Sequence, residues 1–380
     1  MNKKLIKIVE NSFEKHFNTS PLLIFSPGRI NLIGEHTDYN DGFVFPASIS
    51  KGIVLAIQKS DSEKSQVYAL NKKEMCEFDL QNIQPLENGG WRNYVLGVVA
   101  EIQKAGTSLT NFNISFAGDI PGGAGMSSSA ALENSVVFGL NTLFNLGLSK
   151  QKMILISQKA EHNFAGVNCG IMDQYASMFG EKESALLLDC RTVESKSYKI
   201  NFKEYKLLLI NTNVKHDLSE SAYNDRREVC EAICKKLNIK ALRDADRSDL
   251  STIKNDISSD DYLKALYVIE ENERVHRFSK AIEENNLNTL GELLYKSHKG
   301  LSSQYKVSCD ELDFLVDLTK ETPSILGARM MGGGFGGCTI NLIHKKSNLD
   351  IKNIVKKYEL KFKIKPSVYS IKLTNGVKII

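Results

Sequence analysis

Apolar positions in the first seventeen residues fall at Leu5, Ile8, Val9, Phe13 and Phe17. That spacing predicts an amphipathic helix. Lys7, Glu10 and Glu14 interrupt the stretch, so it is not read as a secretory leader. Short apolar, β-branched runs at 22–26, 52–58 and 112–116 predict strands, the first ending before Pro27. From Ser128 the period lengthens: Leu132, Val136, Leu140 and Leu143 share one helical face, and Gly147 is expected to stop it. A second helix is expected over 149–162, and buried strands over 185–189 and 206–211. Beyond these the pattern becomes more helical and more charged, with helices predicted at 220–237, 261–284 and 287–299. A glycine-rich stretch, MGGGFGGCTINLI, then leads into a strand, followed by a helix over 349–360 and a last strand over 368–373. Strands and helices alternate without a regular βαβ repeat, which predicts the α+β class. No internal repeat or low-complexity linker divides the chain, and a boundary near residue 200 separates the two expected halves, 1–200 and 201–380.

Composition narrows the function classes. The 380 residues carry a net charge of +4, too small for the clustered basic excess that nucleic acid or an anionic membrane surface demands. No apolar run approaches the roughly 20 residues of a membrane span. The seven cysteines are odd in number and scattered, which argues for a reducing cytoplasm and against a disulfide framework. Cys230 and Cys234 lie one helical turn apart, but no second pair with zinc spacing accompanies them.

Four stretches carry chemistry. PGGAGMSSSAALE, from Pro121, places Gly122, Gly123, Ala124 and Gly125 before three serines and a helix start. Glycines let backbone N–H groups converge on an anion, and a helix N-terminus adds partial positive charge. The lysine of a Walker loop is missing, so a phosphate cradle here belongs to another lineage. Packing and helix capping are the alternative uses of the same residues. PGRINLIGEHTDYNDGFVFP, from Pro27, crowds Glu35, His36, Asp38 and Tyr39 behind Arg29 and Asn31. That density of hydrogen-bonding groups suits a ligand rich in hydroxyls, and equally a solvated turn. GVNCGIMDQYASMFG, from Gly166, sets Asp173 near a helix start, as a helix-terminal residue or as a base kept ionised there. Upstream, Glu161 is either surface charge or a metal ligand. The fourth, around Gly332, Gly333, Gly334, Gly336 and Gly337, implies positive φ or close backbone approach.

In combination and order these stretches resemble the GHMP small-molecule kinases, and among them the galactokinases. GRINLIGEHTDYNDGFVFP is similar to the galactokinase signature, PGGAGMSSSAA to the family's phosphate loop, CGIMDQ to the stretch bearing its catalytic aspartate, and MMGGGFGGC to its third motif. NTNVKHDLSESAYNDRR, residues 211–227, is also of galactokinase type, and the likeness extends from about residue 20 to the C-terminus. The resemblance implies a two-lobed α+β fold: an N-terminal lobe with a left-handed βαβ crossover and a C-terminal lobe with an antiparallel sheet faced by helices. It implies ATP-dependent phosphorylation of the C1 hydroxyl of galactose, with Mg²⁺, by a cytoplasmic monomer. Asp173 would be the base and Arg29 its partner. Glu35, His36, Thr37, Asp38, Gly170 and Tyr223 would hold the sugar. Gly123, Ala124, Gly125, Met126, Ser127, Ser128 and Ser129 would wrap the ATP phosphates, with Met126 standing where leucine is frequent. Ser129 and Glu161 would bind Mg²⁺, and Trp91 and Tyr94 would lie near the adenine. The alternatives are an N-acetylgalactosamine kinase, against which EHTDY and CGIMDQ argue, and a non-catalytic galactose and ATP sensor, against which the intact serines argue.

Overall fold

The computed structural model describes residues 2–215 and 219–380, with side chains described outside 215–223. Helix α1 (Lys3–Phe17) begins at Asn2, whose side chain accepts from the Lys4 and Leu5 backbones, and buries Val9 and Phe13. The first half continues with strands β1 (Leu22–Asn31), β2 (Phe43–Val44), β3 (Pro46–Lys59), β4 (Ser65–Ala69), β5 (Glu74–Phe78) and β6 (Phe112–Gly118). Helices α2 (Trp91–Lys104), α3 (Ser128–Phe144), α4 (Lys150–Ala160) and α5 (Met172–Phe179), and strands β7 (Ser184–Asp189) and β8 (Glu194–Lys199), complete it. The second half contributes β9 (Tyr205–Lys215), α6 (Ser219–Leu237), α7 (Arg247–Thr252), α8 (Ser259–Glu283), α9 (Leu287–Ser303) and α10 (Asp310–Lys320). The chain closes with β10 (Ile325–Met331), β11 (Gly336–His344), α11 (Asn348–Phe362), β12 (Ser367–Ser370) and β13 (Lys378–Ile379).

One sheet has the order β13-β1-β3-β6-β4-β5. Its ladders are antiparallel except for β4 beside β6, which run parallel. Helices α2 to α5 cover one face over a core that includes Leu55, Ile114, Val136 and Leu140, and α1 covers the other through Val9, Phe13 and Phe25. A second sheet, β10-β11-β9-β12, is fully antiparallel. It packs on α10 and α11 through Leu208, Leu315 and Tyr358, and on the α8/α9 side through Leu209, Leu293 and Ile340. The latter core also includes Ile30, Phe45 and Met126 from the first half, so the two halves share apolar packing. The last strand, β13, returns to pair with β1.

Three local departures from the sequence pattern stand out, and the first and the last of them shape the site. β1 does not end at Ser26 but continues through Pro27, with a register shift between Pro27 and Arg29. Proline cannot donate to a ladder, and the irregularity accommodates it while re-aiming Arg29. Helix α3 ends on Asn145, which takes the left-handed conformation at φ 53° two residues before Gly147. The helix expected over 149–162 runs α-helically only to Ala160 and then widens into a π-turn at Glu161–Ala165. Such turns displace side chains from the α-helical register, and this one carries Glu161.

Candidate active site

The irregular end of β1 brings Arg29 against the first turn of α5. Its Nε donates to Asp173 Oδ1 at 2.7 Å and its Nη2 to Oδ2 at 2.8 Å, a bidentate pair. Its Nη1 donates to the Gly125 carbonyl, joining the pair to the phosphate loop. Burial by itself would lower the Arg29 pKa, but Asp173, then Glu35 and Asp38, hold it above its ordinary value. Asp173 also accepts from the Ser127 hydroxyl. Its position in the first turn of α5 adds the favourable end of the helix dipole.

The loop from Gly122 to Ser129 folds as an anion cradle. Gly123, Gly125 and Ser127 take positive φ of 67°, 66° and 56°. Between them Ala124 and Met126 are buried in the shared core, and the Met126 carbonyl accepts from the Arg29 N–H at 3.2 Å. Ser127 stands at the N-cap position of α3 without a side-chain capping bond, its hydroxyl being given to Asp173, and Ser128 and Ser129 open the helix at its positive end. The glycine-rich stretch after β10 backs this loop: a Cβ on Gly125 would meet the Met331 carbonyl at 3.1 Å, and one on Gly337 the Gly123 carbonyl at 3.3 Å. Beyond the loop, a cavity of about 370 Å³ is lined by Trp91, Tyr94, Phe116, Ser128 and Ser129. Trp91 donates to Glu74 Oε2 at 2.8 Å and also packs edge-on to Phe116.

Opposite the Arg29–Asp173 pair lies the turn carrying Glu35, His36 and Asp38. Gly34 has φ 91°, and a Cβ there would sit 2.5 Å from the Phe43 carbonyl, so only glycine fits. His36 itself has φ 62°. Helix α8 fixes the turn from behind: Tyr267 donates to the Glu35 carbonyl at 2.9 Å, Gly34 N–H donates to Glu271 at 3.0 Å, and Phe43 N–H donates to Asn272 at 2.9 Å. The Glu35 carboxylate accepts from Arg329, which is fully buried on β10. Thr37 is also fully buried, and its hydroxyl lies 2.8 Å and 2.7 Å from the Gly34 and Phe43 carbonyls. It therefore shapes the turn and is not among the residues lining the cavity.

Arg29, Glu35, His36, Asp38, Glu161 and Asp173 line one cavity of about 140 Å³, with Gly332 and Gly333 at its wall. Burial and then the nearby Asp173 charge push Asp38 up to about 7. Burial, followed by Arg226, brings His36 down to about 3, so the ring is neutral at physiological pH. Gly170 is required by close approach: a Cβ there would fall 2.2 Å from Asp38 Oδ2. The Tyr223 side chain, expected at the sugar, lies outside the described residues.

Glu161 is pushed up to about 7, first by burial and then by Asp173, against hydrogen bonds from Ser129, Cys169 and Gln174. Gln174 Nε2 bridges Glu161 at 2.7 Å and the fully buried Glu133 at 3.2 Å. Burial, and then Glu161, hold the Glu133 carboxyl well above its usual range. Carboxylates crowded in this way fit a hard divalent cation, which would return Glu161 to its ionised form. Among the described residues no three His, Cys, Asp or Glu side chains converge as a metal site, so a cation here needs further oxygen ligands. Nucleotide phosphates are the ligands Mg²⁺ ordinarily takes beside one or two carboxylates.

Three family models match the chain: the galactokinase galactose-binding signature over residues 11–59, the GHMP kinase N-terminal domain over 93–181 and the GHMP kinase C-terminal region over 278–359. The galactokinase of Thermosipho africanus is 43% identical over 354 residues, covering 93% of this chain and 98% of its own length. The chain belongs to the galactokinases of the GHMP kinase family. The galactokinase of Clostridium acetobutylicum is 39% identical, over 97% of this chain and 96% of its own. A crystal structure of Lactococcus lactis galactokinase complexed with galactose matches with a TM-score of 0.95 and 34% identity, covering 98% of this chain and 99% of that one. Methanococcus jannaschii mevalonate kinase, at 18% identity and a TM-score of 0.66, shares the fold. As a galactokinase the chain is an ATP-dependent sugar kinase with a two-lobed α+β fold.

Sequence patterns passed over several residues of this site. Arg329 was legible in principle, since a lone charge in the apolar strand ILGARMM needs a buried partner. Glu133, Gln174, Tyr267, Glu271 and Asn272 sit in ordinary helical patterns and gave no such signal. All seven cysteines are free. Cys230 and Cys234 are buried in the α6 packing core. Among the described residues no helix is long and apolar enough to cross a membrane.

Proposed function

We propose that this galactokinase transfers the γ-phosphoryl group of ATP to the C1 hydroxyl of galactose, with Asp173 and Arg29 at the reacting centre. The observation that carries this reading is the bidentate Arg29–Asp173 pair, which joins the phosphate loop through Gly125 and Ser127 and shares a cavity with Glu35, His36 and Asp38. Asp173 accepts the hydroxyl proton as the O–P bond forms. Arg29 holds the carboxylate in place and opposes charge on the transferring group. Glu35, His36 and Asp38 orient the sugar hydroxyls, Gly170 gives Asp38 its space, and Thr37 sets the turn. The backbone and serines of 123–129 hold the ATP phosphates, and Trp91 and Tyr94 flank the adenine. Ser129 and Glu161 would hold Mg²⁺, which would neutralise phosphate charge when bound. We read the enzyme as a cytoplasmic monomer acting in galactose catabolism, with its lobes dividing near residue 200.

A coupled ADP-release assay over a sugar panel, with homoserine and mevalonate as controls, tests the assignment. Turnover with galactose and none with the controls is expected; turnover on a control and none on galactose would overturn it.

A further inference from the structure

β10 is the outermost strand of its sheet, and α9 packs along it. Two contacts lock the pair. At one end the backbones touch: a Cβ on Gly291 would fall 2.1 Å from the Leu326 carbonyl, and one on Gly327 would fall 2.4 Å from the Gly291 carbonyl. At the other end the Met330 N–H donates to Nδ1 of His298 at 3.2 Å, and both residues are buried. From Gly291 to His298 a helix advances about 10 Å, and from Gly327 to Met330 a strand advances about the same. The two contacts therefore hold a single register between α9 and β10.

A backbone N–H can only donate, so Nδ1 of His298 is the bare nitrogen and the ring proton sits on Nε2. Nε2 lies 3.1 Å from Asp313 Oδ1 on α10, and the Asp313 carboxylate also accepts from the Ser302 and Ser308 hydroxyls. Asp313 thus orients the ring that holds Met330. The Met330 carbonyl, which points the same way from the strand as its N–H, accepts from Arg329 Nη1 at 2.6 Å. That same nitrogen donates to the Glu35 carboxylate.

The residue before His298 reaches the sugar-facing turn by another route. The hydroxyl of Ser297, which is fully buried, donates to Glu271 Oε1 at 2.6 Å. The same oxygen accepts from the Gly34 N–H at 3.0 Å. Two consecutive residues of α9 therefore stand behind two consecutive residues of the turn.

We propose that Ser297 and His298 are positioning residues for the sugar, Ser297 setting Gly34 through Glu271 and His298 setting Glu35 through Met330 and Arg329. This rests on Glu35 being a sugar contact.

The test measures the galactose and ATP KM separately, with kcat and thermal melting, in His298→Leu, His298→Asn, Ser297→Ala and Glu35→Gln. Leucine removes the acceptor for Met330, whereas asparagine keeps one, its Oδ1 standing near the place of Nδ1. His298→Leu should raise the galactose KM about 3- to 10-fold, the size of one neutral hydrogen bond, with ATP KM and kcat little changed. His298→Asn should return the galactose KM to within about twofold of wild type, and Ser297→Ala should raise it as leucine does. A brace for the fold alone would lower the melting temperature of His298→Leu and leave its galactose KM at the wild-type value, and that result would overturn the proposal. Equal rises in both KM values would overturn it too. An unchanged galactose KM in Glu35→Gln would instead overturn the reading of Glu35 as a sugar contact, and the proposal with it. Should His298→Leu fail to fold, Ser297→Ala decides, with an unchanged galactose KM counting against the proposal.

Discussion

Arg329→Met would test how the sugar-facing turn is held. The guanidinium donates to the Glu35 carboxylate and to three backbone carbonyls, at 2.9 Å for Leu32, 2.6 Å for Met330, and also to Asn31. Methionine preserves much of the stem but none of these donors. Arg329 is 0% exposed and Glu35 2%. Water therefore cannot replace what is lost, and Glu35 is left buried without its cation. Removing one member of a buried pair costs about 3–5 kcal/mol, most of it the penalty on the abandoned charge. Urea denaturation should show a loss of that size, and the galactose KM should rise with the turn no longer fixed. The double variant Arg329→Met with Glu35→Leu removes the stranded charge, and it should regain much of the stability without regaining galactose affinity. A single variant within about 1 kcal/mol of wild type would refute the reasoning. So would a double variant no more stable than the single.

Gly170→Ala introduces a Cβ 2.2 Å from Asp38 Oδ2 at a position where φ is not left-handed, so the effect should fall on Asp38 and spare the fold. Losing a hydrogen bond to a charged group, about 1.5–3 kcal/mol, should raise the galactose KM roughly tenfold or more and leave the ATP KM unchanged; equal rises in both would count against it. Glu161 keeps its proton to about 7 in the folded enzyme but releases it near the ordinary carboxyl value of 4.5 when unfolded. Its contribution therefore favours the folded state below 4.5 and is lost as pH rises toward 7. In the nucleotide-free enzyme, the stability of Glu161→Gln relative to wild type should accordingly grow over that window in urea titrations. A pH-independent difference between the two would contradict the raised pKa. The same variant should need more Mg²⁺ for half-maximal turnover.

Much of the site was legible because its chemistry is compressed into short stretches. Three helix-start serines, five glycines around Phe335 and four polar side chains after Gly34 each stand out against their surroundings. The amphipathic helices were legible for the same reason, since a single buried face writes a period into the sequence. What stayed hidden depends on distant pairing. β4 is short, and although it meets β5 in a local hairpin it joins the sheet only by running parallel to β6, distant in the chain. β13 is two residues long and exists because β1 offers it an edge. The π-turn at Glu161–Ala165 follows an unbroken helical pattern, and nothing local marks where the ladder widens. The supports from α8 are hidden because Tyr267, Glu271 and Asn272 acquire meaning only once Gly34, Glu35 and Phe43 are brought against them.

The central claim is that Asp173, held by Arg29, serves phosphoryl transfer to galactose. The most direct measurement is galactose-dependent ADP release by purified Asp173→Asn beside wild type, with melting curves and galactose binding by calorimetry on the same samples. The account predicts a folded variant that still binds galactose and loses roughly 100-fold or more in turnover. A folded variant turning over near the wild-type rate would contradict it.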